Sequence, residues 1–280
     1  MYVQPLVLIA SDDHSTDSTL RILSDFQKRS RVNPVTLIQG PAVGFAGNFM
    51  ALTRYAQGWA DCYAWSDQDD IRHEDKLERA VAWLRRGPAD VPALYCGRTQ
   101  LVSEENNELG LSVLFSRKPT FANALMQNIG GGNTMVFNEA ACRLLAKTFV
   151  GTEVVAHDWW AYIIIMGAGG RVFYDANPCL RYRQHGQNLI GSNVGWSARM
   201  VRVRKLFEGR LKDWNETNIR ALEQHIECLT PENRKILYDY ARARQSALPR
   251  RLLEVRRCGV HRQTLLGNLG LLLAVVLKKI

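Results

Sequence analysis

The stretch that decides the fold is Trp65-Ser66-Asp67-Gln68-Asp69-Asp70, in which three carboxylates directly follow the short apolar run Cys62 to Trp65. The run is aromatic and bounded by polar residues, which predicts a buried strand whose carboxyl end delivers the acids into a crevice. Unpartnered carboxylates this close repel one another, so the pattern favours a divalent cation bound by oxygen ligands. Acidic clusters also occur in solvated loops and at helix N-termini, and this segment alone leaves that alternative open.

A second strand pattern ends in the same way. The apolar run Leu6 to Ala10 is followed at once by Ser11-Asp12-Asp13-His14-Ser15-Thr16-Asp17. Two strands that each end in clustered acids favour a site over surface decoration. Further strand and helix patterns alternate along the chain, and this alternation predicts an α/β fold.

A further acid lies in His157-Asp158-Trp159-Trp160, ahead of the apolar stretch Ala161 to Met166. The Asp158 carboxylate could act as a general base towards a hydroxyl group. It could equally be a helix N-terminal acid that complements the helix dipole. The rings of Trp159 and Trp160 could stack on a ligand, although large aromatic side chains usually fill a core or an interface.

Two more segments contain residues suited to ligand binding. The run Gly130-Gly131-Gly132-Asn133-Thr134 permits close approach of a ligand to the backbone, or is a plain turn. Arg183 and His185 follow a predicted strand, Cys179 to Tyr182, where basic side chains could bind an anionic group.

Four segments between Leu6 and Gly191 together resemble family 2 glycosyltransferases with a GT-A fold, in particular the bacterial rhamnosyltransferase-like branch. Their order and spacing agree with the family. Asp12 to Asp17 is similar to the nucleotide-binding "DDGSTD" turn of the family. Ser66 to Ile71, with Asp75 to Leu77 after it, is similar to the metal-binding "SDQDDIW...DKL" segment. His157 to Trp160 is similar to "HDWW", and Tyr182 to Asn188 is similar to "YRQHGxN".

The resemblance implies a Rossmann-like mixed sheet flanked by helices over residues 1–195, with a basic helical extension over residues 196–280. It implies metal-dependent, inverting transfer of a sugar, with rhamnose from dTDP-rhamnose as the expected donor group, onto a lipid-linked or polysaccharide acceptor. Asp69, assisted by Asp67 and Asp70, is expected to hold Mg²⁺ or Mn²⁺, and Asp158 is expected to be the base. The expected donor contacts are Asp12, Asp13, Asp67, Arg183 and His185, and the expected acceptor contacts are Gly131, Gly132, Asn133, Trp159 and Trp160.

Two departures from the family pattern bear on activity. The family normally opens with a strand, a loop and a helix before the first acidic turn, whereas this turn begins at Asp12. A start upstream, or a shortened and inactive chain, would explain the difference. His14 stands where the family usually has glycine, in a turn that favours a left-handed backbone. The alternative function is therefore a nucleotide-sugar binding protein without turnover.

The amino-acid composition indicates the redox environment and the size of the core. Six cysteines occur among 280 residues without any C-x-x-C spacing, which favours free thiols in a reducing cytoplasm over disulfides or a zinc site. A hydrophobic content of 46% is enough for one substantial core.

Charge is unevenly distributed. Residues 1–195 contain 18 basic and 19 acidic residues (−1), and residues 196–280 contain 18 and 8 (+10). The excess indicates an anionic partner, either lipid or nucleic acid, and no nucleic-acid motif supports the second. The apolar tail Leu265 to Leu277 is too short to span a bilayer, so it is an interfacial anchor or a helix packed on its own domain. We therefore expect a cytoplasmic protein, peripheral at the inner face of the membrane.

Overall fold

The computed structural model describes residues 6–30, 34–184 and 210–280. These residues contain ten strands, ten α-helices and two 3₁₀ turns, Gly132–Thr134 and Ile226–Cys228. The strands are β1 (Leu8–Asp12), β2 (Val35–Gln39), β3 (Cys62–Ala64), β4 (Ile71–Arg72), β5 (Ala93–Gly97), β6 (Gln100–Val102), β7 (Glu108–Leu111), β8 (Val136–Asn138), β9 (Arg171–Asp175) and β10 (Leu180–Arg183). The helices are α1 (Thr19–Arg29), α2 (Phe45–Ala56), α3 (Lys76–Leu84), α4 (Phe121–Ala124), α5 (Glu139–Thr148), α6 (His157–Gly167), α7 (Arg210–Gln224), α8 (Pro231–Gln245), α9 (Arg250–Arg257) and α10 (Leu265–Val276).

The strands form three sheets, and the class is mixed α/β as the alternating pattern predicts. β1 and β2 pair in parallel as a two-stranded sheet. A second sheet has the order β3-β8-β5-β9, with β5 antiparallel to β8 and parallel to β9. The third has the order β4-β10-β6-β7. The acidic turn after β3 therefore runs from the second sheet into β4 of the third.

The core is built around β5 and α6. All five residues of β5 are buried, as expected for a strand covered on both faces. Nine of the eleven residues of α6 are buried, and the helix is apolar on every side, which places it inside the protein. The first turn of α6, with Asp158, thus has a fixed position relative to the sheets.

The helices beyond residue 210 pack on the same core. Leu222 of α7 and Leu237 and Tyr240 of α8 are fully buried in the cluster that contains α6. The Thr230 amide donates to the Gly167 carbonyl at 3.0 Å, which ties the start of α8 to the end of α6. The division at residue 195 stays a prediction, and the described helices share their hydrophobic core with the α/β part.

Two other expectations concern this helical part. Residues 196–208, the first part of the predicted extension, lie outside the described residues. Among the residues that are described, no helix combines the length and the apolar content needed to cross a bilayer.

A core substitution on α7 tests whether the helices and the sheets unfold together. Replacing Leu222 by Ala is expected to lower the free energy of unfolding by about 2–5 kcal/mol, because the lost contacts leave a cavity in a shared core. Denaturant unfolding, followed by both far-UV circular dichroism and tryptophan fluorescence, should show one transition that shifts as a whole. Leu253→Ala, at a residue with 59% exposure on α9, is the control and should change stability little. A transition that splits, with only one part shifted, would contradict a common core.

Candidate active site

The three acids of the opening segment converge. Asp67, Asp69 and Asp70 each offer a carboxylate oxygen, and these oxygens lie within 4.8 Å of one another. The turn that carries them is anchored by Trp65, which is 3% exposed and whose indole N–H donates to the Thr53 hydroxyl at 3.0 Å. We refer to Asp67, Asp69 and Asp70 as the acidic cluster.

Residues from two distant segments hold the acidic cluster in place. The Asn133 side-chain amide donates to one carboxylate oxygen of Asp70. The Arg183 backbone amide donates to the other oxygen at 3.1 Å, and its Nε donates to the Asp69 carbonyl at 3.1 Å. Like charges are thus kept close by hydrogen bonds from the glycine-rich segment and from the end of β10.

Electrostatics mark the acidic cluster as a site for positive charge. Burial, and then the neighbouring carboxylates Asp70, Asp69 and Asp158, raise the pKa of Asp67 to about 6. Burial also raises the pKa of Asp70, although its hydrogen bonds from Asn133 and Arg183 act in the opposite direction. A set made only of carboxylates suits a hard divalent cation such as Mg²⁺, Mn²⁺ or Ca²⁺. The residues present therefore fit a metal ion of this class.

Lys76 is the residue near the site that the sequence reasoning gave no role. Its side chain is fully buried, and its ammonium group donates to the Asn133 carbonyl. Burial lowers the pKa of Lys76 to about 8, while the nearby carboxylates of Asp70 and Asp67 oppose that shift. Its helical spacing in the sequence could have indicated that Lys76 is buried, since Lys76, Ala80 and Leu84 form one buried face of α3.

Asp158 lies at the start of α6 and turns towards the glycine-rich segment. One carboxylate oxygen accepts from the Gly132 amide at 3.1 Å, and the other accepts from the Trp159 amide at 2.6 Å. The bond from Trp159 is that of a helix N-terminal acid, whereas the bond from Gly132 links the carboxylate to a different segment. The Asp158 charge also acts on the pKa of Asp67, so the carboxylate lies near the acidic cluster as well. Its position is compatible with both of the roles that the sequence left open.

Gly132 allows the backbone to pass close to His157. A Cβ atom at Gly132 would lie 2.4 Å from His157 Nε2, far inside contact distance. The imidazole has little room to move, because it is 4% exposed and stacks on Phe49 with ring centroids 4.3 Å apart. Burial lowers the pKa of His157, which favours the neutral ring. The position of the Gly132 amide, and hence its bond to Asp158, requires a residue without a side chain.

The side chains of the first acidic turn make hydrogen bonds to backbone amides of the turn itself and of the loop after β2. Asp12 is buried, and its side chain accepts from the Ser15 amide at 3.1 Å. The two oxygens of Asp13 accept from the Ala42 amide at 2.7 Å and the Gly44 amide at 2.9 Å. His14 has φ of +68°, so it adopts the left-handed backbone that favours glycine at this position. Neither Asp12 nor Asp13 belongs to the acidic cluster.

The remaining expected site residues fare differently. Trp160 is fully buried and donates to the Thr148 hydroxyl at 3.2 Å. Trp159, 6% exposed, donates to the Ala124 carbonyl at 2.8 Å. Both rings belong to the hydrophobic core, and contact of Trp159 and Trp160 with the acceptor stays a prediction. The side chain of Arg183 donates to backbone carbonyls of Asp69 and Glu104, and His185 lies outside the described residues.

Comparison with known proteins decides the family. The model of a family described as glycosyl transferase family 2 matches residues 4–147. The chain belongs to this family. It is 28% identical over 211 residues to dTDP-rhamnosyl transferase RfbG of Shigella flexneri, covering 70% of this chain and 68% of that protein. A solved structure of S. aureus TarS, residues 1–349, gives a TM-score of 0.46 at 14% identity, covering 90% of this chain and 80% of that one.

The family membership fixes the activity class and the fold. The chain is a glycosyltransferase of family 2 with the GT-A α/β fold, similar to rhamnosyltransferases. A glycosyltransferase of this kind acts on a nucleotide-sugar donor and an acceptor. The acidic cluster lies within the residues that the family model matches, and Asp158 lies after them.

The raised pKa of Asp67 predicts an unusual stability effect. The ordinary pKa of 3.8 rises to about 6 on folding, so the folded chain binds this proton more tightly. The contribution is favourable at low pH and is lost as pH rises through about 6. At pH 7.5, with divalent cations removed by chelator, Asp67→Asn is therefore expected to raise the Tm by a few degrees, about 2–4 °C per kcal/mol.

Differential scanning calorimetry at pH 7.5 and pH 4.5 measures this effect, and the gain of Asp67→Asn should be much smaller at the lower pH, where the folded chain keeps this carboxyl mostly protonated. Asp90→Asn removes an exposed carboxylate and serves as the control, with no change expected at either pH. A loss of Tm in Asp67→Asn at pH 7.5 without divalent cations would show that the carboxylate is not under electrostatic strain.

Proposed function

We propose that this glycosyltransferase moves rhamnose from dTDP-rhamnose to a hydroxyl group of a lipid-linked or polysaccharide acceptor, with inversion at the anomeric carbon. The observation that carries the proposal is the acidic cluster beside Asp158, in a chain of family 2. The identity of the sugar is supported by the relative named as a dTDP-rhamnosyl transferase. The acceptor and the inversion are supported by the segments that resemble the rhamnosyltransferase-like branch.

The acidic cluster is proposed to bind Mg²⁺ or Mn²⁺ through Asp69, with Asp67 and Asp70 assisting. The ion would supply positive charge to the diphosphate of the donor as the leaving group departs. Hydrogen bonds from the Asn133 side chain and the Arg183 amide to Asp70 help to keep the three carboxylates together against their repulsion. Ions of this kind are usually held by a few carboxylates together with water and substrate phosphates.

Asp158 is proposed to be the general base that takes the proton of the acceptor hydroxyl as its oxygen attacks the sugar. The Gly132 amide and the Trp159 amide each donate to one of its oxygens, which fixes the orientation of the carboxylate. Each carboxylate oxygen has more than one lone pair, so these bonds leave room for an acceptor hydroxyl. Gly131, Gly132 and Asn133 are proposed to lie along the acceptor, next to this carboxylate.

The donor is proposed to bind between the two acidic turns. Asp12 and Asp13 would contact the nucleoside, and Asp67 would lie near the diphosphate. The contacts of Asp13 with the Ala42 and Gly44 amides give it a structural task that the sequence did not indicate, since they order the loop after β2. Arg183 is proposed to act near the diphosphate together with His185.

A nucleotide-sugar binding protein without turnover is not favoured, because the chain retains the acids of the donor, metal and base segments in a family of transferases. A lipid-linked acceptor would place the enzyme at the cytoplasmic face of a membrane, and this location is part of the proposal. Nucleic acid is not a proposed partner.

The test measures dTDP released from dTDP-rhamnose by the full chain with Mn²⁺, in the presence of a bacterial membrane lipid extract as the acceptor source. The same assay follows UDP released from UDP-glucose and GDP released from GDP-mannose. Release of dTDP is expected to be faster than release of either. Asp158→Asn should lower the rate by at least about 100-fold, because the base is lost. Its affinity for dTDP, measured by calorimetry, should stay within about twofold.

Glu153→Gln is the matched control, since it removes an exposed acid shortly before α6 and should keep the activity. Equal release by Asp158→Asn and the unaltered chain would overturn the assignment of the base. Preference for a different nucleotide sugar would overturn the assignment of the donor.

A further inference from the structure

The C-terminal helix α10 carries an apolar face that no described part of the chain covers. Its opposite face is packed inside, through Leu271, Ala274 and Val275. The residues of the outer face range from 40% to 79% exposed, and we refer to them as the leucine stripe: Leu265, Leu266, Leu269, Leu272, Leu273, Val276 and Leu277.

The leucine stripe is continuous. At 100° per residue, its seven members, with Leu277 directly after the end of α10, fall within one sector that contains no polar side chain. A helix of twelve residues is about 18 Å long, so the stripe extends over that length. Single exposed leucines are ordinary on a protein surface, but a contiguous patch of this kind marks a surface that meets an apolar partner.

A cap defines the start of α10, and a hydrogen bond from α9 fixes its orientation near the end. The Thr264 hydroxyl caps the start by accepting from the Gly267 amide at 3.0 Å. The buried Arg251 of α9 donates to the Val275 carbonyl at 2.7 Å near the end. The Arg251 bond and the packing of Leu271, Ala274 and Val275 hold the buried face inwards, so the leucine stripe points outwards as part of the folded structure.

Basic residues accompany the stripe. Residues 249–280 contain seven Lys and Arg and one Glu, a net charge of +6. Lys278, directly after the stripe, is exposed, and so are Arg256 and Arg257 at the end of α9. An exposed apolar helical face in a basic segment complements an acidic phospholipid surface, where each basic residue near the headgroups adds attraction.

We propose that the leucine stripe inserts into the interfacial region of an anionic bilayer, with α10 lying in the membrane plane. Protein interfaces typically place aromatic residues, Met and Arg among their central contacts, and the stripe has only aliphatic side chains. The length of α10 is too small to cross a bilayer, which leaves the in-plane arrangement. This inference goes beyond the transfer reaction, because it concerns a surface and not the acidic cluster.

Vesicle co-sedimentation of the full chain tests the proposal. Binding is expected to phosphatidylglycerol–phosphatidylcholine vesicles and to be much weaker to phosphatidylcholine alone. The double variant Leu266→Gln, Leu269→Gln changes two side chains that are each 63% exposed, so folding should be unaffected. It should lower the partition coefficient by at least about tenfold, because two inserted leucines are lost. Lys278→Gln with Lys279→Gln should lower it about fivefold or more.

A matched control replaces two exposed leucines elsewhere. Leu109→Gln with Leu111→Gln on β7, 52% and 44% exposed, should bind vesicles as the unaltered chain does. The affinity for dTDP in the presence of Mn²⁺, measured by calorimetry, should be the same for the unaltered chain, the α10 leucine variant and the β7 variant. This measurement separates the membrane proposal from the proposed function. Equal vesicle binding by the α10 variant would overturn the proposal. A dimer without vesicles that the α10 variant converts to a monomer would also overturn it, in favour of a second copy of the chain.

Discussion

Repulsion among the carboxylates of the acidic cluster is the constraint on which the site depends. Asp67, Asp69 and Asp70 lie on one short turn, and a chain would gain stability by separating them. The fold prevents this by fixing Asp70 through Asn133 and through the Arg183 amide. Lys76 reaches the same region from inside the protein and donates to the carbonyl of Asn133. Stability is thus given up locally for an arrangement that attracts a cation.

The hydrophobic core determines where the second half of the site lies. α6 is buried along almost its whole length, so its first turn cannot shift without disturbing the packing. His157 fills the space between Phe49 and Gly132, and Asp158 beside it bonds to the Gly132 amide. The glycine-rich segment therefore contacts both halves, with Gly132 at Asp158 and Asn133 at Asp70. A carboxylate suited to be the base and the cluster suited to a metal ion are held in one framework.

The sequence predicted the parts of this account that depend on local patterns. Clustered acids after an apolar run indicated the three carboxylates whose oxygens the structure brings together, and the alternation of strand and helix patterns indicated the α/β class. Burial decided the parts that local patterns do not determine. Trp159 and Trp160 occupy positions next to Asp158 in sequence, but a helix apolar on every side turns both rings into the core. Lys76 was overlooked because the spacing that buries it concerns tertiary packing, and the contacts of Asp13 with the loop after β2 depend on which strands pair.

Equilibrium binding of Mn²⁺ in the presence of dTDP, followed by electron paramagnetic resonance at pH 7.5, tests most directly whether the acidic cluster is a divalent cation site. One bound Mn²⁺ per chain is expected for the unaltered protein. Asp69→Asn should weaken the binding by at least about tenfold, because a charged ligand is lost. Asp90→Asn, which removes an exposed acid outside the cluster, should bind Mn²⁺ normally. The same Mn²⁺ affinity in Asp69→Asn as in the unaltered chain, or no binding by either, would contradict the account.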